Sequence, residues 1–136
     1  VDRSAAARAV SRSNAEQLGF SRRATFVQGN GADAIDARFD LILCNPPYIE
    51  CDAALIPDVA VHEPASALYA GSDGLDDYRR IVPQLPRLLA TRGFAALEIG
   101  ATQAAAVTQL VSRAGLKSSI VKDLAGLDRC LCISRG

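Results

Sequence analysis

Asn45, Pro46, Pro47 and Tyr48 are the residues whose types and order point to a specific chemistry. Both prolines lack an N–H and have a locked φ, and each biases the residue before it towards extended geometry. The carbonyls of Asn45 and Pro46 are therefore expected to be rigidly aimed acceptors without local donors. The Asn45 side-chain carbonyl, taken with a neighbouring backbone carbonyl, makes a two-acceptor fork that matches a planar –NH2 group. An amide or aromatic amine donating both hydrogens there turns its conjugated lone pair towards an electrophile without first losing a proton. Tyr48 supplies a flat face to hold such a group. The chemistry implied is alkylation of an sp2 nitrogen; the alternative is a strand ending at a proline-rich turn, with Tyr48 merely packing.

A sheet must position this tetrapeptide. Phe39–Asp40–Leu41–Ile42–Leu43–Cys44 is an apolar run of strand length that stops at Asn45, and it reads as a buried central strand. Upstream, Ser4 is a credible N-cap for a helix over Ala5 to Leu18, with Gly19 past its end and Ala7, Val10, Asn14 and Leu18 on one inward face. Ala24 to Gln28 reads as a short strand before Gly29–Asn30–Gly31. Downstream, Ile49 to Ser72 is a long loop with a possible turn around Ala53 to Ala60, a length that marks function or disorder. In it Glu63 and Asp73 are expected to fix loop geometry, and His62 to lie on the surface. Leu75, Tyr78, Val82, Leu85 and Leu89 recur at helical spacing over Gly74 to Ala90. Pro83 and Pro86 predict a kink or two short helices there, since an interior proline costs about 3 kcal/mol.

Arg92–Gly93 reads as a turn and Phe94 to Ile99 as a strand, with Glu98 either paired locally or facing a ligand. Ala101 to Ala114 follows as a helix with Val107, Leu110 and Val111 inward, closed by Gly115. Ser118 to Lys122 and Arg129 to Ser134 form an antiparallel finish. This order is that of an α/β fold with a mostly parallel sheet and helices on both faces.

A chain of 136 residues that is 49% hydrophobic is long enough for one domain, residues 1–136, with its own core. No apolar run is long enough to span a bilayer. The formal charge is zero with both signs interspersed. A nucleic-acid binder is expected to show a basic stripe, and the best clusters are only Arg22–Arg23 and Arg79–Arg80. Cys44, Cys51, Cys130 and Cys132 lack Cys-x-x-Cys spacing, and the one histidine is His62. They read as cytoplasmic thiols, mostly buried, with no metal site.

Asn45–Tyr48 resembles the Asn-Pro-Pro-Tyr motif of the amino-methyltransferases that use S-adenosylmethionine. Ile49, Leu55, Val59, His62–Glu63–Pro64, Ala67–Leu68, Gly71, Asp73–Gly74–Leu75 and Tyr78–Arg79 narrow the resemblance to the HemK/PrmC family, which methylates a glutamine of peptide-chain release factors. Leu97–Glu98–Ile99–Gly100 with Gln103, and Asp123–Leu124–Ala125–Gly126 with Arg129, keep the same pattern. The resemblance implies the class I methyltransferase fold, Rossmann-like, with S-adenosyl-L-methionine across the carboxyl ends of the strands. Asn45 and Pro46 would accept the amide hydrogens, and Pro47 and Tyr48 would shape the slot. Asp2, Asn30, Gly31 and Asn45 would contact the cofactor, Asp2 through ribose hydroxyls. Asp2 as an ordinary residue ahead of a helix, and Gly29–Gly31 as a plain glycine-rich turn, are the alternatives. The family has an acidic residue at the position of Asn30 and often an aromatic at that of Gly31, so both positions depart from its pattern.

The chain opens on Val1 and contains no methionine, so it is expected to be a partial catalytic domain, inactive alone. The family's first strand and Gly-rich loop would lie upstream of Val1. Their absence is expected to expose an apolar sheet edge, favour self-association and weaken cofactor binding. Two other functions fit the motif: an adenine or guanine amino-methyltransferase of nucleic acid, and a non-catalytic scaffold.

Overall fold

Ser4 adopts an extended conformation, and its Oγ accepts the Ala7 N–H at 3.1 Å. That cap starts α1, Ala5–Gln17, where a helix otherwise leaves a donor unsatisfied. These residues belong to a computed structural model that describes residues 1–53 and 62–136. The chain divides into two compact units, Val1–Ala37 and Arg38–Gly136. In the first unit the stripe expected to face inward does not do so. Val10 and Leu18 are exposed, and Ala15 is the buried residue of α1. A helix so rich in alanine and serine has too weak an apolar stripe for spacing alone to select its face. The strand expected over Ala24 to Gln28 reduces to one parallel bridge between Gln28 and Asp2. There the Asp2 N–H donates to Val27 (3.2 Å) and the Gly29 N–H to Asp2 (3.1 Å). A longer ladder needs a neighbour of matching length, and α1 begins three residues after Asp2.

The second unit is built on a four-stranded sheet of β1 (Phe39–Cys44), β2 (Leu89–Glu98), β3 (Leu116–Lys122) and β4 (Asp128–Arg135), in the order β1-β2-β4-β3. β1 and β2 are parallel, whereas β4 is antiparallel to both β2 and β3. The connection between the parallel strands carries α2 (Ala65–Leu68), α3 (Asp76–Ile81), a 3-10 turn over Val82–Gln84, and α4 (Leu85–Leu88). A parallel pair requires a crossover of this kind. The possible turn around Ala53 to Ala60 falls, beyond Ala53, outside the described residues.

Ile42, Cys44, Ala95, Leu97, Leu131 and Ile133 share one face of the pleat. That face packs against Tyr78, Val82, Leu85, Val107 and Val111, all fully buried or nearly so. On the opposite face Leu41, Leu43 and Phe94 are exposed. β1, read as a buried central strand, stands at the edge of this sheet with only one face covered within it, which is the exposed apolar edge also expected. Cys130 and Cys132 alternate onto the same open face, so they are half-buried rather than buried, while Cys51 is exposed and all four thiols are free.

The prolines break the third helical region as expected, but Leu89 opens β2 instead of closing the helix, and it is completely buried. Arg92–Gly93 does not reverse the chain. Phe39 pairs with Leu89 and Leu41 with Phe94, so Ala90–Gly93 bulges opposite Asp40. Gly93 is required there because a Cβ would collide with the Phe39 carbonyl. The last helix, α5 (Ala104–Arg113), begins three residues later than its periodicity suggests, because the Gln103 N–H closes a turn onto the Gly100 carbonyl at 2.9 Å.

The β3–β4 connection is tied by Asp123. Its Oδ1 accepts the N–H groups of Ala125 (2.9 Å) and Leu127 (3.0 Å), and the Arg129 Nε approaches Oδ2 at 3.4 Å. The Leu127 N–H foremost, then Ala125 and Arg129, hold this carboxyl below the usual range. A depressed folded-state pKa stabilises the protein above the unfolded value, about 3.9, and that contribution fades as the pH falls through the folded value. Asp123→Asn is therefore expected to melt earlier than the parent at pH 7 and to converge with it in strong acid, as followed by circular dichroism. No helix among the described residues is long and apolar enough to cross a membrane.

Candidate active site

The chain leaves β1 at Cys44 into an exposed Asn45, a buried Pro46, and half-buried Pro47 and Tyr48. Among the described residues nothing donates to the carbonyls of Asn45, Pro46 or Pro47, or to the Asn45 side chain. The partnerless acceptors expected from the two prolines are therefore present. Asn45 stands between two cavities of about 350 Å³ each. One lies against Pro46, Tyr48, Glu63 and Leu68, the other against Leu43, Glu98, Arg129 and Cys130. Each is large enough to take a side chain or part of a small ligand.

Tyr48 is held at both ends. Its hydroxyl donates to Glu98 Oε1 at 3.2 Å, and its carbonyl accepts from Gln103 Nε2 at 2.9 Å. The Glu98 carbonyl in turn accepts the Tyr78 hydroxyl at 2.8 Å. Glu98 thus pairs with Tyr48 and also lines the second cavity. Burial, and then the Glu98 carboxylate, push the Tyr48 hydroxyl above its ordinary pKa, and burial does the same to Tyr78 and to the Cys44 thiol. Tyr48 therefore stays a donor throughout the neutral range. Tyr48→Phe leaves Glu98 without this donor and is expected to cost about 1 kcal/mol of stability in a denaturant titration, because the pair is part-exposed.

Beyond Tyr48 the chain is pinned again. Ile49 bridges Tyr69 in parallel, donates to the Leu68 carbonyl and accepts from Ala70, both at 2.9 Å. Asp73 fixes loop geometry as expected. It accepts the Leu75 N–H at 3.2 Å and makes a two-point ion pair with Arg79 at 2.9 and 2.5 Å. Arg79 foremost holds the Asp73 carboxyl below its usual range. His62 is exposed, as expected of a surface residue.

The remaining candidates lie in the first unit. Asp2 is exposed, and its Oδ1 accepts the Ser4 N–H at 2.7 Å, so it does serve the start of α1. The Asp2–Gln28 bridge brings Asp2 beside the Gly29–Asn30–Gly31 turn. Gly31 has φ 62°, a left-handed conformation that glycine adopts readily. Asp2 and Asn30 thus stand in neighbouring stretches of backbone, and both carry acceptors of the kind that suit ribose hydroxyls and an adenine amino group. Among the described residues no group of three or more His, Cys, Asp or Glu is placed to hold a metal. Sequence reasoning assigned Gln103 and Arg129 no role. The available signal at Gln103 is a glutamine at the N-cap of α5, where Ser, Thr, Asp or Asn is preferred.

The model of the methyltransferase small domain family matches residues 1–68 of the 136. The chain is 48% identical over 125 residues to the release factor glutamine methyltransferase of Rhodospirillum rubrum, covering 90% of this chain and 38% of that protein. It is 47% identical over 132 residues to the enzyme of the same name from Cereibacter sphaeroides, covering 95% and 48%. It spans less than half the length of these curated relatives. A solved structure, the ribosomal protein L11 methylase of Lactobacillus delbrueckii subsp. bulgaricus, aligns over 98% of this chain and 55% of its own with a TM-score of 0.69 at 20% identity. That likeness shows a shared fold, which agrees with the α/β fold expected from the order of elements and with the class I methyltransferase architecture that the resemblance implies. The resemblance carried by the Asn-Pro-Pro-Tyr and Gly-x-Asp-Gly-Leu stretches is likewise borne out by the two relatives: the chain belongs to the methyltransferase small domain family.

Proposed function

We propose that this sequence is part of the catalytic domain of an S-adenosylmethionine-dependent enzyme that methylates the side-chain amide nitrogen of a glutamine in a peptide-chain release factor. The observation that carries this reading is the set of acceptors without donors at the end of β1. The Asn45 side chain and the Pro46 carbonyl take the two hydrogens of the substrate amide, which fixes its plane and turns its lone pair out of the conjugated system. Pro47 and the ring of Tyr48 shape the slot. Asp2 and Asn30, with Gly31, are suited to the ribose and adenine of the cofactor. When bound, the cofactor supplies a methyl group activated by its sulfonium. The chain's own contribution is orientation of the amide and exposure of its lone pair, largely a proximity effect. The family match, residues 1–68, includes Asp2, Asn30, Gly31 and Asn45–Tyr48, which supports assigning these positions to a methyltransferase. A cytoplasmic location follows from the substrate.

The test is methyl transfer by the whole protein that contains this sequence. Radiolabelled cofactor would be supplied with a release-factor domain, with the same domain carrying Ala at its target glutamine, and with an adenine-rich oligonucleotide. Label on the first alone is expected. Label on the oligonucleotide, or on neither macromolecule, overturns the reading.

A further inference from the structure

Gln103 stands at the N-cap position of α5, yet its side chain makes no capping hydrogen bond. It turns back instead and joins three segments distant in sequence. Its Nε2 donates to the carbonyls of Tyr48 (2.9 Å) and Gly74 (3.3 Å), and its Oε1 accepts the Gly100 N–H at 3.0 Å. Both glycines leave room for it. A Cβ on Gly74 would lie 2.6 Å from Gln103 Nε2, and one on Gly100 would lie 2.9 Å from Gln103 Oε1. The backbone of Gln103 is itself anchored, donating to Gly100 at 2.9 Å and accepting from Val107 at 3.0 Å, and Val107 is fully buried in the core. An uncharged planar amide is the one side chain with two donors and an acceptor in this arrangement. Lysine has no acceptor, and glutamate has no donor at neutral pH.

We infer that Gln103 is a positioning residue that sets the aim of the Asn45 and Pro46 acceptors by clamping the Tyr48 carbonyl to the core. With the Tyr48 hydroxyl on Glu98, the clamp fixes the residue at the exit of the motif at both ends. The acceptor fork therefore cannot swing about its two prolines. This inference rests on the proposed methyl transfer, since it assigns Gln103 a part in that reaction. The amide touches no reacting atom, so its effect falls on turnover rather than on binding of the methyl donor.

Gln103→Leu and Gln103→Glu in the whole protein test it. The Leu variant is expected to lower kcat about tenfold, the scale on which small misplacements act, with KM for the methyl donor within about twofold. The Glu variant keeps the acceptor for Gly100 but sets a carboxylate against two carbonyls, which favours its protonated form. Its deficit should be largest near pH 8 and shrink towards about pH 5.5, as the carboxyl regains a hydrogen for Tyr48. A Leu variant with kcat within about twofold of the parent, or a Glu deficit that is flat with pH, overturns the inference. Hydrogen exchange at the Gly100 amide reports the clamp even if no methyl is transferred. Its protection is expected to vanish in Gln103→Leu and persist in Gln103→Glu, and unchanged protection in the Leu variant equally overturns it.

Discussion

Asn45→Ala is expected to lower kcat about 10²–10³-fold, comparable to removing one preorganised hydrogen-bonding group that acts on a reacting centre. The side chain is exposed and has no described partner, so nothing in the fold depends on it. Stability should accordingly change by less than about 0.5 kcal/mol. Without the amide carbonyl the substrate –NH2 group keeps one acceptor, the Pro46 carbonyl, and is free to rotate its lone pair back into conjugation. Steady-state methyl transfer alongside a denaturant titration measures both parts. An intact fold with near-parental turnover would remove Asn45 from the reaction.

Gly74→Ala is the substitution expected to damage stability most. Gly74 has φ 67°, where a residue with a Cβ is disfavoured by about 1–2 kcal/mol. The added methyl would also stand against the Tyr48 carbonyl and Gln103 Nε2, which forces apart two hydrogen bonds worth about 1 kcal/mol each. Together these give a loss of about 3–4 kcal/mol, read as a fall in the urea midpoint at unchanged slope. The displaced carbonyl belongs to Tyr48, so turnover should fall as well, even at temperatures where the variant remains folded. A midpoint close to the parent's would mean that the loop relaxes around the methyl and that the clamp is soft.

The unpartnered acceptors of Asn45–Tyr48 were legible in the sequence because they depend on residues adjacent in the chain. Two prolines remove donors and restrict φ wherever they stand, so the carbonyls they leave unpaired follow from composition alone. The same locality made β1, the broken helix around Pro83 and Pro86, and the antiparallel close of β3 and β4 readable, since each is marked by its own period or by its breaker. The long-range pairings were not readable. Gln103 meets Tyr48 across 55 positions and Glu98 meets Tyr48 across 50, and no spacing rule links residues so far apart. The burial of Ala15 in place of Val10 and Leu18 was hidden for a related reason. A strand or helix states from its own sequence which residues are apolar, but which face is covered depends on what the rest of the chain brings against it. The sequence by itself determined the acceptor-rich turn and the elements around it. Only the tertiary structure decided how that group is held, because the hydrogen bonds that hold Tyr48 form between segments that meet only when the chain folds.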